Sequence, residues 1–220
     1  MIIKADSESY FVFDLDDTLY RELDFLKSAY YEICNEIFPE NAINIYKEIV
    51  GIHISGGNAF NFLIEKYPAK KISLEKLLYL YRNHFPNILL REGVLEMIQA
   101  FKSKESKFGI ITDGRSVTQH NKVEALGISQ LIDKLLISEE FGASKPAPAL
   151  YESFMESDNQ KQFYYIGDNI HKDFITPKRL GWFCIGILDG ENVHGQKLCE
   201  VPNDYLPHIF IKSFYEIGII

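Results

Sequence analysis

The sequence predicts a doubly wound α/β domain, interrupted early by an all-helical insert, and three observations lead there. Apolar runs of strand length recur along the chain, and helical periodicity fills most of the intervals between them. The segment from Tyr20 to Leu90 departs from this alternation, showing helical periodicity and no convincing strand. Alternation of strand and helix implies a parallel sheet with crossover helices on both faces.

Taken in order, the first strand is the run YFVFDL from Tyr10, continuous as a strand buried on both faces should be. Within the insert, Leu26, Ala29, Tyr30, Ile33 and Ile37 fall on one helical face. Phe60, Leu63, Ile64 and Tyr67 form a second, and Leu74, Leu77, Leu78, Tyr81 and Phe85 a third. Ser55-Gly56-Gly57-Asn58 separates the middle helices as a loop, with Asn58 as the N-cap. The alternation resumes with a helix through Val94, Met97, Ile98 and Phe101 and a strand at Phe108 (FGIIT). Ser116-Val117-Thr118-Gln119 has capping-box spacing and predicts a helix start just after ITDGR, with Val123, Leu126 and Ile128 on its apolar side. Further strands are predicted at Lys134 (KLLIS), Phe163 (FYYIG), Phe183 (FCIGIL) and His208 (HIFI). There is no internal repeat and no low-complexity tract.

A chain of 220 residues accommodates one large domain, or a core with a modest second domain. The formal net charge of -8 offers no basic footprint for nucleic acid or an anionic membrane, so any anionic substrate must meet a local positive site. The segment MIIKADSESY has no apolar stretch of signal-peptide length, and no part of the chain approaches a membrane span; a cytoplasmic protein is expected. Cys34, Cys184 and Cys199 show no C-x-x-C spacing and read as reduced packing residues. His53, His84, His120, His171, His194 and His208 are scattered without metal-ligand spacing and read as structural or exposed.

The informative polar residues lie at the carboxyl ends of the predicted strands, where ligands bind in a parallel sheet. Asp14, Asp16 and Asp17 end the first run, and Thr112, Asp113 and Gly114 the second; Ser144-Lys145-Pro146 follows the third, and Gly167-Asp168 and Asp173 follow the fourth. Carboxylates gathered this closely repel one another and require a cation, and an all-oxygen site suits a hard ion such as Mg2+. With Mg2+ held by Asp14 and Asp168, a phosphate can bind on its other side, met by the Thr112 hydroxyl and the compact charge of Lys145. Of the first two acids, one can then attack phosphorus while the other protonates the leaving oxygen and later activates water. Asp17 points away from Asp16 and reads as a turn or cap residue.

The four motifs FDLDDTL, IITDG, SKP and GDNIHKD, in that order and with Glu92-Gly93-Val94 before the second, resemble those of the haloacid-dehalogenase (HAD) superfamily, in its phosphatase branch. The resemblance implies a Rossmann-like core at 1–19 and 89–220 with an all-helical cap domain at 20–88. It implies that Asp14 is the nucleophile and Asp16 the general acid/base, and that Thr112, Asp113 and Lys145 bind the substrate phosphate, Asp113 mainly through its backbone N–H. Asp14, Asp168 and the backbone carbonyl of Asp16 would surround Mg2+, with Asp173 supporting them through water or by orienting Lys145. An Asp at position 16, where carbon dehalogenases have Tyr and phosphonatases Ala, favours phosphate ester hydrolysis. The expected activity is hydrolysis of a small phosphorylated metabolite through an aspartyl phosphate. A phosphotransferring mutase is the alternative, followed by a non-catalytic phosphate-binding or receiver-like module. In a receiver the acid pair precedes the phosphoacceptor, whereas here the first acids include the nucleophile. Arg21, His53, Asn58 and Arg82, with the loop from Ser55 to Asn58, are candidates for substrate specificity. One departure from the family is Pro177 in FITPKRLGW, which predicts that the helix after Asp173 starts late or kinks.

Overall fold

The computed structural model describes residues 1–156, 162–188, 190 and 201–220; Cys199 and His194 lie outside them. Strand β1 (Ile2–Ile3) is followed by β2 (Ser9–Phe13) and by four helices, α1 (Glu22–Ile37), α2 (Ala42–Ile54), α3 (Ala59–Lys66) and α4 (Leu74–Asn83). The remaining order is α5 (Val94–Ser103), β3 (Lys107–Thr112), α6 (Ser116–Ala125), β4 (Lys134–Ile137), α7 (Ser138–Phe141), α8 (Pro148–Glu156), β5 (Gln162–Gly167), α9 (Ile175–Arg179), β6 (Phe183–Ile187), β7 (Ile209–Ile211) and β8 (Gly218–Ile219).

Six strands form a sheet in the order β4-β3-β2-β5-β6-β7, parallel throughout, so all six predicted runs join one sheet. Strand β2 lies at its centre, with Phe13 beside Ile110 of β3 and Ile166 of β5. Alternation along β2 explains its continuous apolar character. Phe11 and Phe13 pack into one layer with Val94, Ile98 and Phe101 of α5 and Val123 of α6. Tyr10 and Val12 pack into the opposite layer with Leu150, Tyr151 and Phe154 of α8 and with Trp182. A separate two-stranded parallel pair joins β1 to β8.

Helices α1 to α4 have a core of their own, built from Tyr30, Ile33, Ile45, Ile49, Leu63 and Leu77. Asn58 caps α3 as predicted, its side chain accepting from the Asn61 N–H at 3.0 Å. On α4 the predicted apolar face is only partly used. Leu77 is buried, but Leu74 and Phe85 are 47% and 65% exposed, because the helix starts at Leu74 and stops at Asn83, leaving both at ends that the described residues cover only in part.

One further expectation is corrected. Helix α6 does start at Ser116, but without a capping box, because acids of α7 take over that role. The Ser116 N–H donates to Glu139 at 2.7 Å and its hydroxyl to Glu140 at 2.5 Å, which frees Gln119 for another use. Helix α9 starts at Ile175, so Pro177 is its third residue, where the missing N–H would have had no intrahelical acceptor.

Candidate active site

Strand β2 stops at Phe13, and the chain continues the ladder by one bond, the Asp14 N–H donating to the Ile166 carbonyl at 2.9 Å. The loop that follows is held by Asp17, whose φ of 55° lies in the left-handed region. Its carboxylate accepts from the Glu22 N–H at 2.8 Å at the start of α1, and its carbonyl accepts from Arg91 at 2.7 Å. Asp17 therefore has the turn and cap role expected of it.

Asp14, Thr112 and Asp168 stand at the carboxyl ends of β2, β3 and β5, and the segment after α7 adds Lys145; Thr112 is fully buried, its hydroxyl meeting Gln119. The Lys145 ammonium, buried with 8% exposure, donates to Asp14 at 2.5 Å and to Asp173 at 2.7 Å. Asp173 is fully buried and accepts four hydrogen bonds: from Lys145, from the Tyr165 hydroxyl, and from the backbone N–H groups of Asp168 and Asn169. Both of its oxygens are engaged, so it orients Lys145 and the loop that carries Asp168. Gly167 makes room for it, since a Cβ there would lie 2.5 Å from a carboxylate oxygen of Asp173. Asp113 uses its side chain, accepting from the Lys145 N–H at 3.0 Å. The sequence reading gives its backbone N–H the main weight, so this side-chain contact is an addition.

Carboxylate oxygens of Asp14, Asp168 and Asp173 lie within 4.8 Å of one another. The donor set is all oxygen and tightly packed, the chemistry a hard divalent cation requires. Asp14 reports the strain of the cluster: burial, opposed by Lys145 and reinforced by Asp173 and Asp16, pushes its carboxyl up to about 7. A cation beside it would reverse that shift. The Asp16 carboxylate stands apart from this cluster. It accepts from Lys122 at 2.6 Å, from Gln119 at 2.9 Å and from the Tyr20 hydroxyl. Burial alone would raise its pKa, but the charge of Lys122 and these hydrogen bonds outweigh burial and hold it below the usual carboxylate range.

Asp14, Asp16, Glu22, Lys145 and Asp168 line a cavity of about 120 Å³, with Lys172 at its rim. Larger hollows, about 470 Å³ near Arg21 and Phe214 and about 600 Å³ near Tyr31 and Leu89, hold none of the candidate catalytic residues. The specificity candidates fare differently. Arg21 lines the hollow beside Phe214, His53 packs edge-on to Tyr30, Asn58 caps α3, and the Arg82 carbonyl accepts from Thr118. None of the four lines the acidic cavity, whereas Glu22 does. Burial and the nearby Asp16 push the Glu22 carboxyl up to about 7. Glu22, Gln119, Lys122, Tyr20 and Tyr165 escaped the sequence reading. The i, i+3 spacing of Gln119 and Lys122 shows that they share one side of a helix but not that this side faces inward.

Residues 11–187 match the family described as haloacid dehalogenase-like hydrolase. A glyceraldehyde 3-phosphate phosphatase of Methanocaldococcus jannaschii is 31% identical over 94% of this chain and 93% of its own length. A pyrimidine 5'-nucleotidase of Escherichia coli is 29% identical over 57% of this chain and 53% of its own. Among solved structures, magnesium-bound YfnB of Bacillus subtilis superposes with a TM-score of 0.64 at 16% identity, covering 97% of both chains. A HAD phosphatase of Thermococcus onnurineus gives 0.58 at 18% identity over 94% of this chain and 95% of its own.

Proposed function

The chain belongs to the haloacid dehalogenase-like hydrolases, and on that premise we propose that it is a phosphoric monoester hydrolase acting on a small phosphorylated metabolite through an aspartyl phosphate on Asp14. The observation that carries the reading is the placement of Asp14 at the end of the central strand, against Lys145 and near Asp168, with Asp16 on the same loop. In this reading a carboxylate oxygen of Asp14 attacks phosphorus, and the leaving oxygen departs with a proton from Asp16. Water then attacks the phosphoenzyme, gives its proton to Asp16 and releases inorganic phosphate with Asp14 restored. Lys122 keeps the resting Asp16 ionised, the state needed for the second step. An arriving phosphate adds negative charge that favours the protonated state needed for the first. Thr112 and Lys145 hold phosphate oxygens, with Asp113 fixing the backbone of Lys145.

Asp14, Asp168 and the Asp16 carbonyl would hold Mg2+, with Asp173 supporting from behind. The ion would supply positive charge against the phosphoryl oxygens. Helices α1 to α4 act as the cap over the core in this reading, contributing Glu22 to the cavity wall. At about 120 Å³ the cavity has room for little beyond a phosphoryl group and an ion, so the organic part of the substrate extends toward Glu22 and Lys172.

The test is phosphate release from glyceraldehyde 3-phosphate, glycerol 3-phosphate and a pyrimidine nucleoside monophosphate, with Mg2+ or with EDTA. Release that requires Mg2+, vanishes in Asp14→Asn and falls by roughly 10²- to 10⁴-fold in Asp16→Asn is expected. No release from a folded sample would overturn the phosphatase reading, and transfer of the phosphoryl group to a second hydroxyl would move it to a mutase.

A further inference from the structure

Helix α6 presents two polar side chains inward that none of the four motifs contains. Gln119 is 1% exposed and Lys122 5%; of the other two buried residues of α6, Thr118 donates to the Arg82 carbonyl and Val123 belongs to the apolar core. A buried amide and a buried ammonium need partners, and here both find the same one. The Gln119 amide nitrogen donates to one oxygen of Asp16 at 2.9 Å, and Lys122 donates to the other at 2.6 Å while its ammonium lies 4.3 Å from the centre of the Phe25 ring.

The same Gln119 nitrogen also reaches the Thr112 hydroxyl oxygen at 2.5 Å. An ionised carboxylate can only accept, so the amide must turn its NH2 toward Asp16. Its second hydrogen then goes to Thr112. That hydroxyl accepts from Gln119 and keeps its own proton to donate elsewhere. Gly114 lets the amide lie in this position: its φ is +157°, and a Cβ there would stand 2.9 Å from the Gln119 amide carbon.

We propose that Gln119 and Lys122 are positioning residues with divided duties. Gln119 orients Asp16 toward the leaving oxygen and directs the Thr112 hydroxyl to the phosphate, whereas Lys122 orients Asp16 alone. The inference rests on the reading of Asp16 as acid/base and Thr112 as phosphate ligand, and its consequences differ from a loss of stability.

The glycerol of glycerol 3-phosphate would leave as an alkoxide and needs the proton of Asp16; p-nitrophenyl phosphate releases a stable phenolate and does not. Because kcat/KM covers only the steps through phosphoenzyme formation, the ratio of kcat/KM for these two substrates reads the orientation of the acid. In Lys122→Met, kcat/KM for glycerol 3-phosphate falls roughly 10²-fold more than for p-nitrophenyl phosphate, with inhibition by inorganic phosphate unchanged. In Gln119→Met the same selective loss is joined by about tenfold weaker inhibition by phosphate. Gln119→Asn and Lys122→Arg, which keep the donors, recover part of each loss and serve if the Met variants fail to fold. An equal loss for both substrates, or no loss, in variants that melt cooperatively overturns the inference while leaving the phosphatase reading in place. A wild-type protein inert toward both substrates with Mg2+ present overturns the phosphatase reading first, and this inference with it.

Discussion

Burying the ammonium of Lys145 is tolerable because Asp14 and Asp173 face it, and the reverse holds for the two acids. Replacing one partner leaves the others charged and dehydrated. Lys145→Met should therefore lower stability by about 3–5 kcal/mol in denaturant melts run with EDTA, as expected when a buried pair loses one member. A loss below about 1 kcal/mol would show that water already screens the cluster. At this scale the motif residues were legible because Asp14, Asp16, Thr112, Lys145 and Asp168 each end or follow an apolar run. Gln119 and Lys122 were not, because polar residues three apart on a helix ordinarily mark a solvated face, and only tertiary contact with Asp16 shows otherwise. Glu22 was hidden for a different reason: it starts a helix, where an acid is explained by the helix dipole alone.

Helices α4 and α6 meet end to side. Thr118 donates to the Arg82 carbonyl at 2.9 Å and Asn121 to the His84 carbonyl at 3.0 Å, so α6 satisfies acceptors that the end of α4 leaves open. His84, at that end, is buried beside Phe25, its Nδ1 bonded to the Tyr81 carbonyl and its Nε2 without a hydrogen-bond partner among the described residues. Burial lowers its pKa, with Lys122 of α6 acting in the same direction and Glu32 of α1 opposing. A histidine whose folded-state pKa is depressed contributes fully above its unfolded value, and its contribution falls as pH drops toward the folded one. Wild-type protein should lose more melting temperature between about pH 8 and about pH 5.5 than His84→Gln, which cannot titrate. Equal losses would place the acid sensitivity elsewhere. At the scale of elements, strands were more legible than helical faces. The central strand β2 is apolar throughout because both of its sides are covered, whereas Leu74 and Phe85 continue the period of α4 past the point where the described residues pack on it.

Across the whole molecule, the sheet and the helical unit have separate apolar cores, and the carboxylates gather beside Glu22, where the helical unit begins. The order of elements carried this architecture in the sequence, since strand-helix alternation broken once by helices alone leaves little choice of layers. The β1–β8 pair was not legible, because two-residue strands carry too little pattern to be recognised. Because an ion would bind the folded cluster and not the unfolded chain, Mg2+ should raise the melting temperature in a concentration-dependent way, and Asp168→Asn should abolish the rise. A rise that persists in the variant would locate the ion away from these acids. The pairing of Tyr10 with Lys107 also has a kinetic meaning, for these neighbours are separated in sequence by all of α1 to α5. Bringing them together from a disordered chain closes a long loop, while a helical unit already formed shortens the disordered chain to be closed. Trp182, the lone tryptophan, is buried against the sheet and reports when that layer assembles. Leu77→Ala, a cavity in the distant helical core, should then slow the refolding seen by Trp182 fluorescence; if it quickens only unfolding, the sheet closes before the helices do.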